Sequence, residues 1–320
     1  MPNADGTGAG TVTVVIPTYN RPALLGDTVR SVLRQTRSPT QVIVVNDGGL
    51  ADPREFLGPL AHDLRITVLT KENGGVASAR NFGAAVATSD YILFLDDDDQ
   101  LTPDALDQLA SRLDDEGVVA AVGGAQILGA DPDAPPWWLP PIADDGMYFD
   151  LLLDACVFPA SAVMMRRRVF DGVGGYHEPM IILEDYDLWF RIAQAGRIAN
   201  YQGIVLEYRV HKGSISRRPI QLKYALLVTR RAIALAPANP RMAGIRVRVY
   251  LLTVHLDDLL WSIRGDLRAR RFGSALQGLR VSLAPIFLPS PSARVARTWW
   301  TIFWKNFRWH ATSPQFTKWS

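Results

Sequence analysis

The sequence predicts an α/β fold with a mostly parallel sheet flanked by helices, followed by a helical carboxyl-terminal appendage. Three observations predict it. Short β-branched runs recur through the first two thirds of the chain, helical periodicities separate them, and polar clusters follow the strand ends. In such sheets, ligands collect at the carboxyl ends of the strands.

The elements follow in order. After a Gly-rich start (residues 1–10), expected to be disordered, "TVTVVIP" reads as a buried strand that Pro17 ends. "RPALLGDTVRSVLRQT" repeats Leu24, Leu25, Val29, Val32 and Leu33 at helical spacing. "TQVIVVNDGG" is a second strand, broken at Asp47-Gly48-Gly49, and "RITVLT" a third. "GGVASARNFGAAVATS" is rich in small residues and reads as helical in its second half, and "DYILFLD" is the fourth strand. A Pro-rich loop with two tryptophans comes next, and then "VFPASAVMMRRRVF", a strand running into a helix. "LEDYDLWFRIAQAG" is a helix with acids in its first turn and Gly196 as its C-cap, and "GIVLEYRVH" is the last strand.

Beyond Arg218 the pattern changes to helices, with an αα-hairpin looping near Gly265-Asp266 and an aromatic, basic stretch, "ARVARTWWTIFWKNFRWH". The expected organisation is an α/β domain over residues 11–218 and a basic helical region over 219–320. Charge divides in the same way. From Lys212 to Ser320 there are 19 Lys and Arg against three acids, whereas the remainder carries 15 against 29. An anionic membrane surface is the natural partner for the basic end, with Trp299, Trp300 and Trp304 at headgroup level, and packing against the α/β domain is the alternative. No recognition motif supports nucleic acid. One cysteine, Cys156, excludes an intramolecular disulfide. The absence of a signal-like start or a long apolar run points to a cytoplasmic protein, peripheral to the membrane at most.

The densest chemistry is "LFLDDDD", four consecutive carboxylates behind an apolar strand. Like charges so crowded need either solvent or a cation, and a hard divalent ion with a phosphate-bearing ligand meets that need. Asp47, Arg80, the acidic pair Glu184-Asp185 and His211 lie at other strand or helix ends. Each alone is compatible with a turn, a helix charge or a structural residue.

Their succession is more specific. "VVIPTYNRP", "VIVVNDGG", "NGGVASARNFGAAVATSDYILFLDDDD", "GVGGYHEPMIILEDYDLWFRI" and "YRVHKGSIS" together resemble the family-two glycosyltransferases over about residues 11 to 218. The resemblance implies a GT-A fold and inverting transfer of a sugar from a nucleoside-diphosphate sugar, UDP-linked by family habit, to a hydroxyl acceptor, with Mn²⁺ or Mg²⁺ as cofactor. The acceptor it implies is a glycan or a lipid-linked sugar. It assigns Pro17, Thr18, Tyr19, Asn20, Asp47, Gly75, Arg80, Asp96 and Asp97 to the donor nucleotide, with Asn46 replacing the commoner aspartate. It assigns Asp98 and His211 to the metal. Asp185, with Glu184 beside it, is implied as the catalytic base. Asp187 and Trp189 share that helix turn, Asp187 as a cap or ion-pair partner and Trp189 as core or acceptor platform. Two other readings stay open: a sugar-nucleotide-binding scaffold without catalysis, and a sugar nucleotidyltransferase.

Overall fold

In the computed structural model, the described residues are 10–129, 136–141, 148–152 and 158–210, with the single positions Val228, Arg231 and Leu235. The chain divides into two compact units, Met1–Ile215 and Ser216–Ser320, and every element below belongs to the first. His211, Cys156 and the helices expected beyond Arg218 lie outside the described residues.

Eight strands form one mixed sheet: β1 (Val12–Thr18), β2 (Gln41–Asp47), β3 (Ile66–Lys71), β4 (Tyr91–Phe94), β5 (Gln100–Leu101), β6 (Val118–Ile127), β7 (Val163–Arg166) and β8 (Arg197–Tyr208). Their order is β3-β2-β1-β4-β7-β6-β8-β5. The β3-β2-β1-β4 half is parallel, whereas β7 runs antiparallel to both β4 and β6, β8 is parallel to β6, and β5 is antiparallel to β8. The parallel half reads in sequence as continuous apolar runs because both faces are covered; β1 is buried at all seven positions.

The helices are α1 (Pro22–Leu33), α2 (Pro53–Leu57), α3 (Val76–Ala84), α4 (Ala105–Arg112), α5 (Phe149–Leu152), α6 (Arg167–Gly172) and α7 (Glu184–Ala195). Helix α1 buries Leu25, Val29 and Val32 against Val14, Ile16 and Val44, in the same cluster as Leu106 and Leu109 of α4. Helix α3 begins directly after Gly75 and stops at Ala84, so it occupies the first half of its segment rather than the second. It lies so close on the sheet that a Cβ on Gly83 would come within 2.5 Å of Val15 and 3.0 Å of Val45. Small residues there are a packing requirement. Strand β6 and helix α4 went unrecognised in sequence: β6 contains Ala120, Ala121, Gly123 and Gly124, which weaken a β-branched signature, and α4 is only two turns long.

Among the described residues no helix is long and apolar enough to cross a membrane.

Candidate active site

The carboxyl ends of β1, β2 and β4 lie side by side, and the loops that leave them form one edge. Strand β4 ends in a turn in which Asp99 N donates to Asp96 O at 3.2 Å. Helix α1 holds that turn from beneath. The Thr28 hydroxyl lies 3.0 Å from the carbonyl oxygen of Asp97 and 2.7 Å from that of Asp99, and Leu101 N donates to Ser31 Oγ at 3.1 Å. Gln35 continues the clamp, donating to Thr102 O and accepting from Leu106 N.

The four aspartates therefore do different things. One carboxylate oxygen each from Asp96, Asp98 and Asp99 lies within 4.8 Å of the others, a cluster of hard oxygen donors suited to Mg²⁺ or Mn²⁺. Asp97 turns away from that group. It accepts from Thr18 Oγ1 at 2.6 Å, pairs with Arg21 Nη2 at 3.3 Å and is 1% exposed. Arg21 Nη1 also reaches Asp98, at 2.6 Å. Burial pushes the Asp97 carboxyl up to about 6, opposed by Arg21 and by the Thr18 hydrogen bond. Burial, followed by the neighbouring Asp96 charge, pushes Asp99 up to about 8. That crowding is relieved when a cation shares the carboxylates. Asp99, the member of the cluster without a family assignment, also accepts from Arg209 N at 3.0 Å.

Arg80 links this turn to α7. Its buried guanidinium donates to Asp96 Oδ1 at 2.7 Å and to Glu184 Oε1 at 2.9 Å, and lies 5.1 Å from the centroid of the Tyr176 ring. Burial would lower its pKa, but electrostatic interaction with Tyr176, Asp96 and Glu184 outweighs burial and raises it. The Tyr176 ring packs edge-on against Phe94 of β4 at 5.1 Å, and burial raises its hydroxyl's pKa. Gly174 and Gly175 both have positive φ, which lets the chain turn back into this site. Two side chains then pin the loop. Tyr176 N donates to Asn81 Oδ1 at 2.9 Å, and Arg191, paired with Asp187, donates to the carbonyls of Val173 and Gly175.

Leu183, in the left-handed region at φ 61°, sets the start of α7, so Glu184 and Asp185 occupy its first turn. Glu184 is committed to Arg80. Asp185 accepts from the following backbone N–H, Tyr186 N, at 2.7 Å and is partly open to solvent. Burial, then the Glu184 charge, raises its carboxyl to about 7, with Arg80 opposing. A carboxylate tuned near neutrality is suited to taking a proton from a hydroxyl. Asp187 is paired with Arg191 at 2.7 Å, and Trp189 is fully buried with its ring 6.0 Å from Phe158, so it belongs to the core.

At the β2 end, Asp47 closes a loop. Its Oδ1 accepts from Lys71 Nζ and Gly74 N, both at 2.9 Å, and its Oδ2 from Gly75 N at 2.8 Å. Asn46 explains itself here: its amide donates to the carbonyls of Gly49 and Ala51 while its oxygen accepts from Gly49 N at 2.7 Å. An aspartate could accept but not donate. Asn20, at φ 53°, accepts from Leu50 N at 3.0 Å and ties the two loops together, and Tyr19 beside it is 49% exposed. Pro17 is buried within β1, in register with Val45. A half-open cavity of about 220 Å³ lies here, between Thr18, Asn20, Arg21, Asn46, Pro53 and Phe56. Of the residues singled out in the sequence, the structure thus brings together the acidic turn, Arg80 and the Glu184-Asp185 pair through direct contacts of Arg80 with Asp96 and Glu184. Sequence reasoning passed over Arg21, Thr28, Lys71 and Tyr176, which have no motif of their own and are visible only through their partners.

The glycosyl transferase family 2 model matches residues 13–174, about half of the chain, including every element from β1 to α6. The chain belongs to glycosyl transferase family 2. An uncharacterized glycosyltransferase of Rickettsia conorii is 27% identical to this family-2 chain over 214 residues, covering 65% of this chain and 35% of its relative. The match thus spans about a third of that relative's length. The Escherichia coli UDP-Glc:alpha-D-GlcNAc-diphosphoundecaprenol beta-1,3-glucosyltransferase WfaP is 28% identical over 206 residues, 64% of this chain and 79% of that protein. Two solved structures share the GT-A fold. S. aureus TarS 1-349 in complex with UDP-GlcNAc superposes with a TM-score of 0.60 at 16% identity, covering 75% of this chain and 71% of that one. The mannosyltransferase PcManGT from Pyrobaculum calidifontis, in complex with GDP-Man and Mn²⁺, gives 0.60 at 19% identity, covering 98% and 84%.

Proposed function

We propose that this chain is an inverting, metal-assisted glycosyltransferase that moves a sugar from a nucleoside-diphosphate sugar to a hydroxyl acceptor. The observation that carries the reading is the chain of contacts from the Asp96-Asp98-Asp99 cluster through Arg80 to Glu184, with Asp185 next in sequence and tuned near neutrality. A scaffold has no need of a half-buried carboxyl poised to titrate there.

In this reading the nucleoside lies over Thr18, Tyr19, Asn20 and Asp47, beside Gly75 and Arg80. Asp47 offers the remaining acceptor capacity of its carboxylate to a base N–H. Tyr19 offers an exposed aromatic face for stacking. Asp98, with Asp96 and Asp99, would hold Mn²⁺ or Mg²⁺, which supplies charge stabilisation for the leaving diphosphate. His211 is retained as a candidate partner for the metal or the diphosphate. Asp185 takes the proton from the acceptor hydroxyl as its oxygen bonds to the anomeric carbon. The bond from that carbon to the diphosphate breaks on the opposite face, and the nucleoside diphosphate departs with the electron pair. No covalent enzyme intermediate arises. Arg80 holds Glu184 and Asp96 in place, and its charge would stabilise the negative charge that develops on the leaving group.

UDP sugars are the proposed donors and a lipid-diphosphate-linked sugar the proposed acceptor, by analogy with the substrates named for the WfaP relative. The basic carboxyl-terminal region would then rest against anionic lipid at the cytoplasmic face of the membrane. Proton NMR of the first product formed from a UDP-α-sugar and a lipid-diphosphate sugar tests the reaction. A β-linked product supports inversion, and an α-linked product rules it out. Flotation with anionic liposomes, for the full chain and for one cut after Pro291, tests the membrane contact.

A further inference from the structure

Arg21 has no part in the reaction as described, yet its guanidinium touches the acidic cluster. It belongs to the residue that caps α1, whose side chain makes no capping hydrogen bond to the helix. It points instead across to the β4 turn, with Nη1 at 2.6 Å from Asp98 Oδ2 and Nη2 at 3.3 Å from Asp97 Oδ1. Those carboxylates are 11% and 1% exposed, whereas Arg21 is 33% exposed. The positions of the two acids are fixed: Thr18 and Thr28 bind the turn from β1 and α1, and Arg209 donates through Nε to Asp98 O. The arginine alone has room to move, and its side of the turn faces the cavity bounded by Thr18, Asn20 and Asn46.

We propose that Arg21 is a latch on the cation site: its guanidinium neutralises Asp98 in the free protein, and a divalent cation must displace it to bind that carboxylate. The inference rests on the metal-assisted reading above and deepens it. A guanidinium and a divalent ion compete for the charge of the same carboxylate, so the latch weakens metal binding to the free protein by the free energy of its own contact. Once displaced, the guanidinium lies on the cavity side of the turn, where a diphosphate would receive it. Occupancy by metal and by nucleotide would then favour each other, with Arg21 as the element whose two positions they bias. Arg21 is a positioning residue in this account, since it acts through Asp98.

The test is Mn²⁺ binding alone, followed by electron paramagnetic resonance of the free ion, on the wild-type chain and on Arg21→Gln, Arg21→Lys and Arg30→Gln. Arg30 lies on the same helix, paired with the exposed Asp27, and controls for bulk charge. Arg21→Gln should bind Mn²⁺ at least about tenfold more tightly, or about 1.4 kcal/mol, with Arg21→Lys between it and wild type and Arg30→Gln unchanged. Equal affinity of wild type and Arg21→Gln overturns the latch and leaves the metal reading standing. An equal gain in Arg30→Gln also overturns it, since the effect would then be diffuse charge. No Mn²⁺ binding by any of the proteins overturns the metal reading itself, and the latch with it. Should Arg21→Gln fail to fold, arginine side-chain NMR of the wild type with Mg²⁺ decides. Loss of the restrained Arg21 guanidinium signal at saturation supports displacement, and an unchanged signal overturns it.

Discussion

Asp185→Asn separates the chemistry of the site from its cost to the fold. The carboxyl is raised from its ordinary value of 3.8 to about 7, by burial first and the Glu184 charge second. A group that binds its proton more tightly when folded favours folding only while it is protonated. Its contribution is therefore full below about pH 4, declines as pH rises from about 4 to about 7, and above that the folded state carries an unfavourable charge. The shift corresponds to about 4 kcal/mol at about 1.4 kcal/mol per unit, and partial access to water reduces it to roughly 1–3 kcal/mol. Asparagine keeps an oxygen to accept from Tyr186 N and removes the charge. Urea unfolding at pH 5 and pH 8 should show Asp185→Asn more stable than wild type at pH 8 by that amount, with the gap narrowing at pH 5. Transfer by the variant should fall by about 10²–10⁴, the range for a lost general base. In the wild type, kcat/KM should rise with pH and level off near 7. A variant no more stable than wild type at pH 8, or one that keeps its activity, would refute the reasoning.

Two further outcomes follow from contacts in the site. Arg80→Met leaves Asp96 and Glu184 without their shared cation and should cost about 3–5 kcal/mol in urea unfolding; adding Glu184→Gln should return at least about 1 kcal/mol through coupling in a double-mutant cycle. Asn46→Asp loses both bonds donated to Gly49 O and Ala51 O, and thermal melting should report a loss of about 1–3 kcal/mol.

The parallel half of the fold was legible because its strands are buried on both faces, so β1, β2 and β4 print as apolar runs ending in polar clusters. The antiparallel half was less so. Strand β6 pairs with β8 through three register shifts and packs through small residues, which leave no alternation to read. The acidic turn was visible as a cluster, but its division of labour was not. Whether a given aspartate joins the cation group or turns to Thr18 depends on the hydrogen-bonded turn that Thr28 fixes from 69 residues away. Asn46 looked like a departure from the family pattern, and is instead the one residue type of that size able both to accept and to donate in its loop. Long-range partners of this kind leave no local signature, which is why Arg21 and Tyr176 surfaced only with the geometry.

The most direct test of the central claim is calorimetric titration of the chain with UDP, dTDP and GDP, with and without Mn²⁺, repeated on Asp98→Ala. The account predicts Mn²⁺-dependent binding of one nucleotide, strongest for UDP, that is lost in the variant. Binding of no nucleotide by the folded chain, or equal binding by Asp98→Ala, would contradict it.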